Sequence, residues 1–205
     1  MNSLKLNLAP IVIFTYDRLE CTKKLINSLL KNPESKYSEI IIFSDGSKTE
    51  QDLKRILNVR LYLKSITEFK KIKIIERVTN FGLKKNILQG VSDIFKKHKE
   101  VIVLEDDLEV NQEFLKYMNH YLTKYKNVKK IFSIHAYNYP LIFGNSLNKN
   151  FFQRGADCWG WAIWNDRWCD FIDNIDDYRK RRKNFLDLIL FDYFFTYPYS
   201  KLLNL

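Results

Sequence analysis

Short apolar runs alternate with amphipathic stretches over roughly the first two thirds of the chain. The runs are Ile11-Val12-Ile13-Phe14, Ile40-Ile41-Ile42-Phe43, Ile72 to Ile75, Val101-Ile102-Val103-Leu104 and Ile131 to Ile134. Brief apolar segments closed by polar turn residues predict buried strands. Between them, apolar residues recur at three- and four-residue spacings, which predicts helices. Leu19, Ile26, Leu29 and Leu30 form the stripe of the first, with Asp17 as its cap and Glu20 completing a capping box. The second is predicted over Thr49 to Ile66. The third runs from Gly82 to His98, with Leu83, Ile87, Val91 and Phe95 turned inward. The fourth runs from about Asn111 to Tyr125 and carries Phe114, Leu115, Met118 and Leu122. Strands that are apolar throughout, joined by helices, predict an α/β fold with a mostly parallel central sheet flanked by helices.

The pattern changes after residue 138. Gly144 to Asn150 is a polar loop, and an aromatic block follows from Phe151 to Trp164. The block reads as a lid or second subdomain, leading to a helix through Tyr178 to Phe195. Its tryptophans are either core of that subdomain or stacking platforms for a ligand ring. The expected division is therefore 1–138 and 139–205.

Composition narrows the classes. A chain of 205 residues with 46% hydrophobic content has enough material for a core, which excludes a disordered protein. Cys21, Cys158 and Cys169 are too few for a disulfide scaffold and predict free thiols in a reducing compartment. No run approaches the ~18 apolar residues of a membrane span. Met1 to Pro10 has no long apolar stretch of the kind a signal peptide needs. A cytoplasmic chain is expected, with peripheral contact at the inner face of the cell membrane through Arg179, Lys180, Arg181, Arg182 and Lys183. The same cluster also reads as an ordinary solvated face. The net charge of +10 comes mainly from lysine, 25 of the 34 basic residues, and so reflects composition as much as a polyanion site. No nucleic-acid-binding module is recognised, and nucleic acid is not an expected partner.

In parallel sheets, ligands bind beyond the carboxyl ends of the strands. The residues there are Thr15-Tyr16-Asp17-Arg18, Ser44-Asp45-Gly46, Arg77 with Asn80-Phe81-Gly82, and Glu105-Asp106-Asp107. Three adjacent carboxylates need a cation or hydrogen-bond donors. Mg²⁺ and Mn²⁺ take such oxygen ligands and share them with a diphosphate. A solvated acidic turn is the alternative. Asp45-Gly46 and Asn80 to Gly82 also read as plain turns, and Lys84 and Lys85 as solvated helix residues. No Gly-x-Gly-x-x-Gly follows the first strand and no P-loop is present, so neither a dinucleotide site nor a P-loop is supported. His98, His120, His135 and the cysteines lack zinc-ligand spacing.

Pro10 to Arg18, Ser44-Asp45-Gly46, Asn80-Phe81-Gly82 with Asn86 and Gly90, and Val101 to Val110 together resemble GT-A glycosyltransferases. The likeness is to family 2 and, through Glu105 to Val110, to the N-acetylglucosaminyltransferase I group; it covers residues 9 to 165. It implies a GT-A fold with 1–138 as the donor-binding region and 139–205 as an acceptor-side segment, expected to be incomplete at its C-terminus. It implies an inverting transferase that moves a hexosyl or N-acetylhexosaminyl group from a nucleotide-diphosphate sugar, a UDP-sugar, to a glycan or lipid-linked hydroxyl in polysaccharide biosynthesis. Asp107 would bind Mn²⁺ or Mg²⁺ and so assist the leaving group, Asp106 would approach the ribose or sugar, and Glu105 the sugar hydroxyls. Thr15, Asp17 and Arg18 would line the nucleoside and diphosphate end, Asp45 would accept from the base, and Asn80, Gly82 and Lys84 or Lys85 would lie near the donor. Asp166, Asp170, Asp173, Asp176, Asp177, Asp187 and Asp192 follow the aromatic block, but none matches the family's general-base setting. The base therefore stays unassigned. The competing function is a catalytically incomplete GT-A protein that binds nucleotide-sugar or partners another transferase.

Overall fold

The computed structural model describes residues 8–137, 150–153 and 155–173. Six strands form one sheet: β1 (Ile11–Thr15), β2 (Glu39–Ser44), β3 (Lys71–Glu76), β4 (Glu100–Glu105), β5 (Ser133–His135) and β6 (Trp161–Trp164). Their order is β3-β2-β1-β4-β6-β5. β1 pairs in parallel with β2 and β4, β2 pairs in parallel with β3, and β6 is antiparallel to both β4 and β5. The intervening helices are α1 (Leu19–Leu30), α2 (Glu50–Ser65), α3 (Gly82–Phe95) and α4 (Phe114–Tyr125). The expected α/β sheet flanked by helices is thus the observed one.

Side-chain alternation along the strands builds two buried layers. Ile11, Ile13, Ile40, Ile42, Ile102 and Leu104 share a core with Leu25, Leu29, Val59, Leu63, Met118 and Leu122 from α1, α2 and α4. On the other face α3 packs against β1 and β4. There Phe14 and Phe43 stack with ring centroids 5.2 Å apart. A Cβ on Gly90 would lie 2.7 Å from the Phe14 ring, so glycine lets α3 sit this close. The buried stripe of α3 is Asn86, Gly90, Val91, Ile94 and Phe95, and Leu83 is exposed, although the apolar spacing places it inside.

Two further local expectations differ. Asp17 does not cap α1, whose N-cap is Arg18 without a side-chain bond. Arg55 Nε donates to Asp17 Oδ2 at 2.7 Å instead, an ion pair that holds the carboxylate toward α2. Trp161 to Trp164, read as lid or second subdomain, supplies β6. Trp164 is buried, and its indole Nε1 donates to the Leu122 carbonyl at 3.1 Å.

The chain forms two compact units. The first comprises residues 1–142 with Ala156–Asn165, and the second Phe143–Gly155 with Asp166–Leu205. The described part of the second contains most of α5 (Asn165–Asp173), where Trp168 and Phe171 pack with centroids 5.6 Å apart. Residues 144–149 of the polar loop, Arg154, the Arg179 to Lys183 cluster and the Tyr178 to Phe195 helix lie outside the described residues.

Candidate functional site

Parallel pairing brings the carboxyl ends of β1, β2, β3 and β4 to one edge of the sheet. Backbone bonds continue past the strands and hold the next residues in line. Asp45 N–H donates to the Thr15 carbonyl at 3.0 Å, Arg77 N–H to Ser44 at 2.9 Å, and Asp106 N–H to Phe14 at 3.1 Å.

The acidic triplet is the centre of this edge. Asp106 is buried, with one carboxylate oxygen accepting from the Tyr16 N–H at 3.1 Å and the other paired with Arg18 Nη2. Arg18 Nη1 donates to Asp107 Oδ2 at 2.9 Å. One guanidinium thus clamps two neighbouring carboxylates, as its planar fork allows. Burial pushes Asp106 above the usual carboxylate range, although the Tyr16 N–H and Arg18 pull the other way. Glu105 is also raised, first by burial and then by the charges of Asp107 and Asp106. Burial draws the Arg18 guanidinium down, but Asp106 and Asp107 more than offset it and the net direction is up. Asp107 is half exposed.

Asp45 spends both oxygens on the chain. Oδ1 accepts from the N–H groups of Gly46 at 2.9 Å and Phe81 at 2.8 Å, and Oδ2 from Gly82 N–H at 2.9 Å and Asn80 Nδ2 at 3.2 Å. Asn80 Nδ2 also reaches the Gly46 carbonyl at 2.7 Å. A carboxylate has about four acceptor positions, so Asp45 knots the β2 loop to the start of α3. Gly46 lies so close to this loop that a Cβ there would be 2.4 Å from the Thr79 carbonyl carbon. Gly82 holds φ at +71°, a left-handed value suited to glycine. Lys84 is exposed on α3, and Lys85 Nζ lies 4.4 Å over the Phe81 ring.

One group, Arg60, is not singled out by the chain's pattern, while Tyr16 and Arg77 stand among the strand-end residues without an expected role. Arg60, in the middle of α2, reaches the carbonyls of Ser44, Asp45 and Arg77 at 3.3, 3.1 and 2.8 Å and the Ser44 hydroxyl at 3.0 Å. Tyr16 OH donates to Asp52 Oδ2 at 2.8 Å and accepts from Lys48 N–H. Burial and the Asp52 bond raise the Tyr16 phenol. Arg77 lies over Phe43 and Phe81 and donates to Asn86 Oδ1 at 3.3 Å. Its Nη2 and the Thr15 hydroxyl are buried without a hydrogen-bond partner. Such orphaned polar atoms at a strand-end edge suit a polar ligand. An open cavity of about 510 Å³ runs beside Phe81 to Gln89 but touches none of the acidic residues.

The model for glycosyl transferase family 2 matches residues 11–192, nearly the whole chain. The chain belongs to glycosyl transferase family 2. The six-stranded, mostly parallel sheet is the GT-A architecture that the strand-end motifs implied. No curated protein matches the chain. Among solved structures, Staphylococcus aureus TarS matches at 22% identity and TM-score 0.41, over 58% of this chain and 20% of that one. TarS 1–349 matches at 16% and 0.44, over 81% and 49%. The mannosyltransferase PcManGT of Pyrobaculum calidifontis, solved with GDP-Man and Mn²⁺, matches at 9% and 0.43, over 63% and 35%. This family 2 chain therefore spans between a fifth and a half of those structures.

The acidic edge fits a hard divalent cation of limited protein ligation. Among the described residues no group of three His, Cys, Asp or Glu side chains is placed to hold a metal. Mg²⁺ and Mn²⁺ need only one or two carboxylates when substrate phosphates and water supply the other positions. The half-exposed Asp107 carboxylate, with Glu105 close by in sequence, meets that requirement.

Proposed function

We propose that this chain, with residues 1–138 as its donor-binding region, acts as an inverting glycosyltransferase that takes a sugar from a UDP-sugar and passes it to a glycan or lipid-linked hydroxyl. The observation that carries the proposal is the Arg18 clamp on Asp106 and Asp107 at the strand-end edge of a family 2 domain. In glycosyl transfer the anomeric carbon gains positive charge while the diphosphate leaves as an anion. Fixed positive groups at the leaving group lower that barrier without waiting for proton transfer. Asp107 would hold Mn²⁺ or Mg²⁺, which supplies Lewis-acid stabilisation of the diphosphate. Asp106, buried and bonded to Tyr16 and Arg18, keeps Arg18 fixed at that end. Glu105 is assigned to the sugar hydroxyls. Thr15 and Asp17 are assigned to the nucleoside end. Asp45, Asn80 and Gly82 act as a preformed loop there, and Lys84 lies at its solvent side.

Calorimetric titration of UDP with and without Mn²⁺ tests this assignment. The expected result is Mn²⁺-dependent binding by the native chain, weakened at least tenfold in Asp107→Ala, since even loss of a group that only supports a metal ligand costs about 10- to 100-fold. Absence of UDP and UDP-sugar binding overturns it. Release of free sugar from a UDP-sugar panel then separates an active transferase from a catalytically incomplete binder.

A further inference from the structure

Helix α2 has a face that its own sheet does not use. Ile56, Val59 and Leu63 turn inward and are buried, whereas Leu53, Leu57 and Leu61 are 43%, 52% and 71% exposed. These leucines are spaced by four residues, so at about 3.6 residues per turn they lie on one stripe. The same stripe begins at Glu50 and ends at Lys64. Its order is thus acid, three leucines, base, with the exposed Lys54 on its margin beside Leu57.

That order is self-complementary. Turned end for end about Leu57, the stripe places Glu50 opposite Lys64, Leu53 opposite Leu61 and Leu57 opposite itself. A surface with this property suits an isologous two-fold contact. Glu50 forms no ion pair with any described residue. Lys64 bonds to Glu76 at 2.7 Å but remains 59% exposed.

We propose that α2 is a homodimer contact, in which a second copy of this chain packs its α2 antiparallel against the first. Burial of the leucines supplies the driving force. Two symmetric Glu50–Lys64 pairs set the antiparallel direction and the register, as charges flanking a helical seam do. Opposed helix dipoles agree with that direction. A single helix pair buries less than a standard interface of roughly 1,600 Å², so the dimer is weak and concentration-dependent.

Sedimentation velocity of the 205-residue chain from about 1 μM upward tests the proposal, a range that spans typical weak association. The native chain is expected to shift toward dimer with concentration. Leu57→Asp, at an exposed position, is expected to stay monomeric with unchanged circular dichroism. Glu50→Lys alone and Lys64→Glu alone each face like charges across the two-fold and are expected to weaken association about tenfold, two surface pairs being affected at once. An equimolar mixture of the two pairs Lys with Glu at both ends and is expected to restore native association. A native chain that stays monomeric throughout, whatever else covers the stripe, overturns the proposal. So does a mixture that associates no better than either variant.

Discussion

His135 shows how one side chain is held by both of its ring nitrogens. Asp157 N–H donates to Nδ1 at 3.3 Å, which leaves Nε2 to carry the proton and donate to Ser133 Oγ at 2.7 Å. Burial holds the imidazole below its ordinary value near 6.5. A histidine depressed in the folded state contributes stability that is full above the unfolded value and is lost as pH falls toward the folded one. Protonation would also set a ring N–H against the Asp157 N–H. Chemical denaturation between pH 8 and pH 5 is therefore expected to show falling stability in the native chain. His135→Gln removes the titration and is expected to flatten that fall; an equal slope in both would show that His135 is not its source. In the sequence His135 stands out only by lacking zinc-ligand spacing; Ser133 is its neighbour on β5, but Asp157 reaches it only when the chain folds. The acidic triplet, by contrast, is legible, because three adjacent carboxylates after an apolar run are a local pattern. The Arg18 clamp is not, since its partners are almost ninety residues away.

At the scale of elements, Arg60 ties α2 to the ends of β2 and β3. Its side chain is 13% exposed and reaches the backbone carbonyls of Ser44, Asp45 and Arg77 at the sheet edge. Arg60→Met keeps the apolar stem and removes every donor. Loss of charge-assisted bonds of this kind costs about 2–3 kcal/mol, and that decrease is expected in the urea unfolding free energy. UDP affinity is expected to fall in parallel, because the Ser44 to Gly46 loop loses its tie; an unchanged unfolding midpoint would show the tie to be dispensable. The helices themselves are readable from spacing, and α2 starts at Thr49, whose side chain caps the helix through Asp52 N–H. On α3 the spacing finds Val91 and Phe95, but part of the inward face escapes it because Gly90 and Asn86 are buried where a hydrophobic count sees nothing. A glycine is valued there for the closeness it allows to Phe14, which is a property of the neighbouring strand.

For the molecule as a whole, the sheet must manage an open edge. Among the described residues β3 pairs only with β2, and it turns Lys71 and Lys73 outward to solvent. Lys71 also bonds to Glu39 at 2.8 Å. Outward lysines on an edge strand discourage pairing with another chain. Lys71→Val with Lys73→Val is expected to raise light scattering on warming, with the native fold retained at low temperature; equal scattering would remove the protective role. Among the described residues no helix is long and apolar enough to cross a membrane. The sequence alone determined the alternation of strands and helices, the parallel character of most of the sheet, and the candidate residues at its carboxyl edge. It did so because a buried strand must be apolar along its length and a helix every three or four residues, both local demands. Only the tertiary structure decided that Trp161 to Trp164 runs antiparallel between β4 and β5, that Asp45 is consumed by the α3 loop, and that Arg18 bridges two carboxylates. Those choices depend on which distant donors and strands arrive at one place, and spacing along the chain carries no record of that.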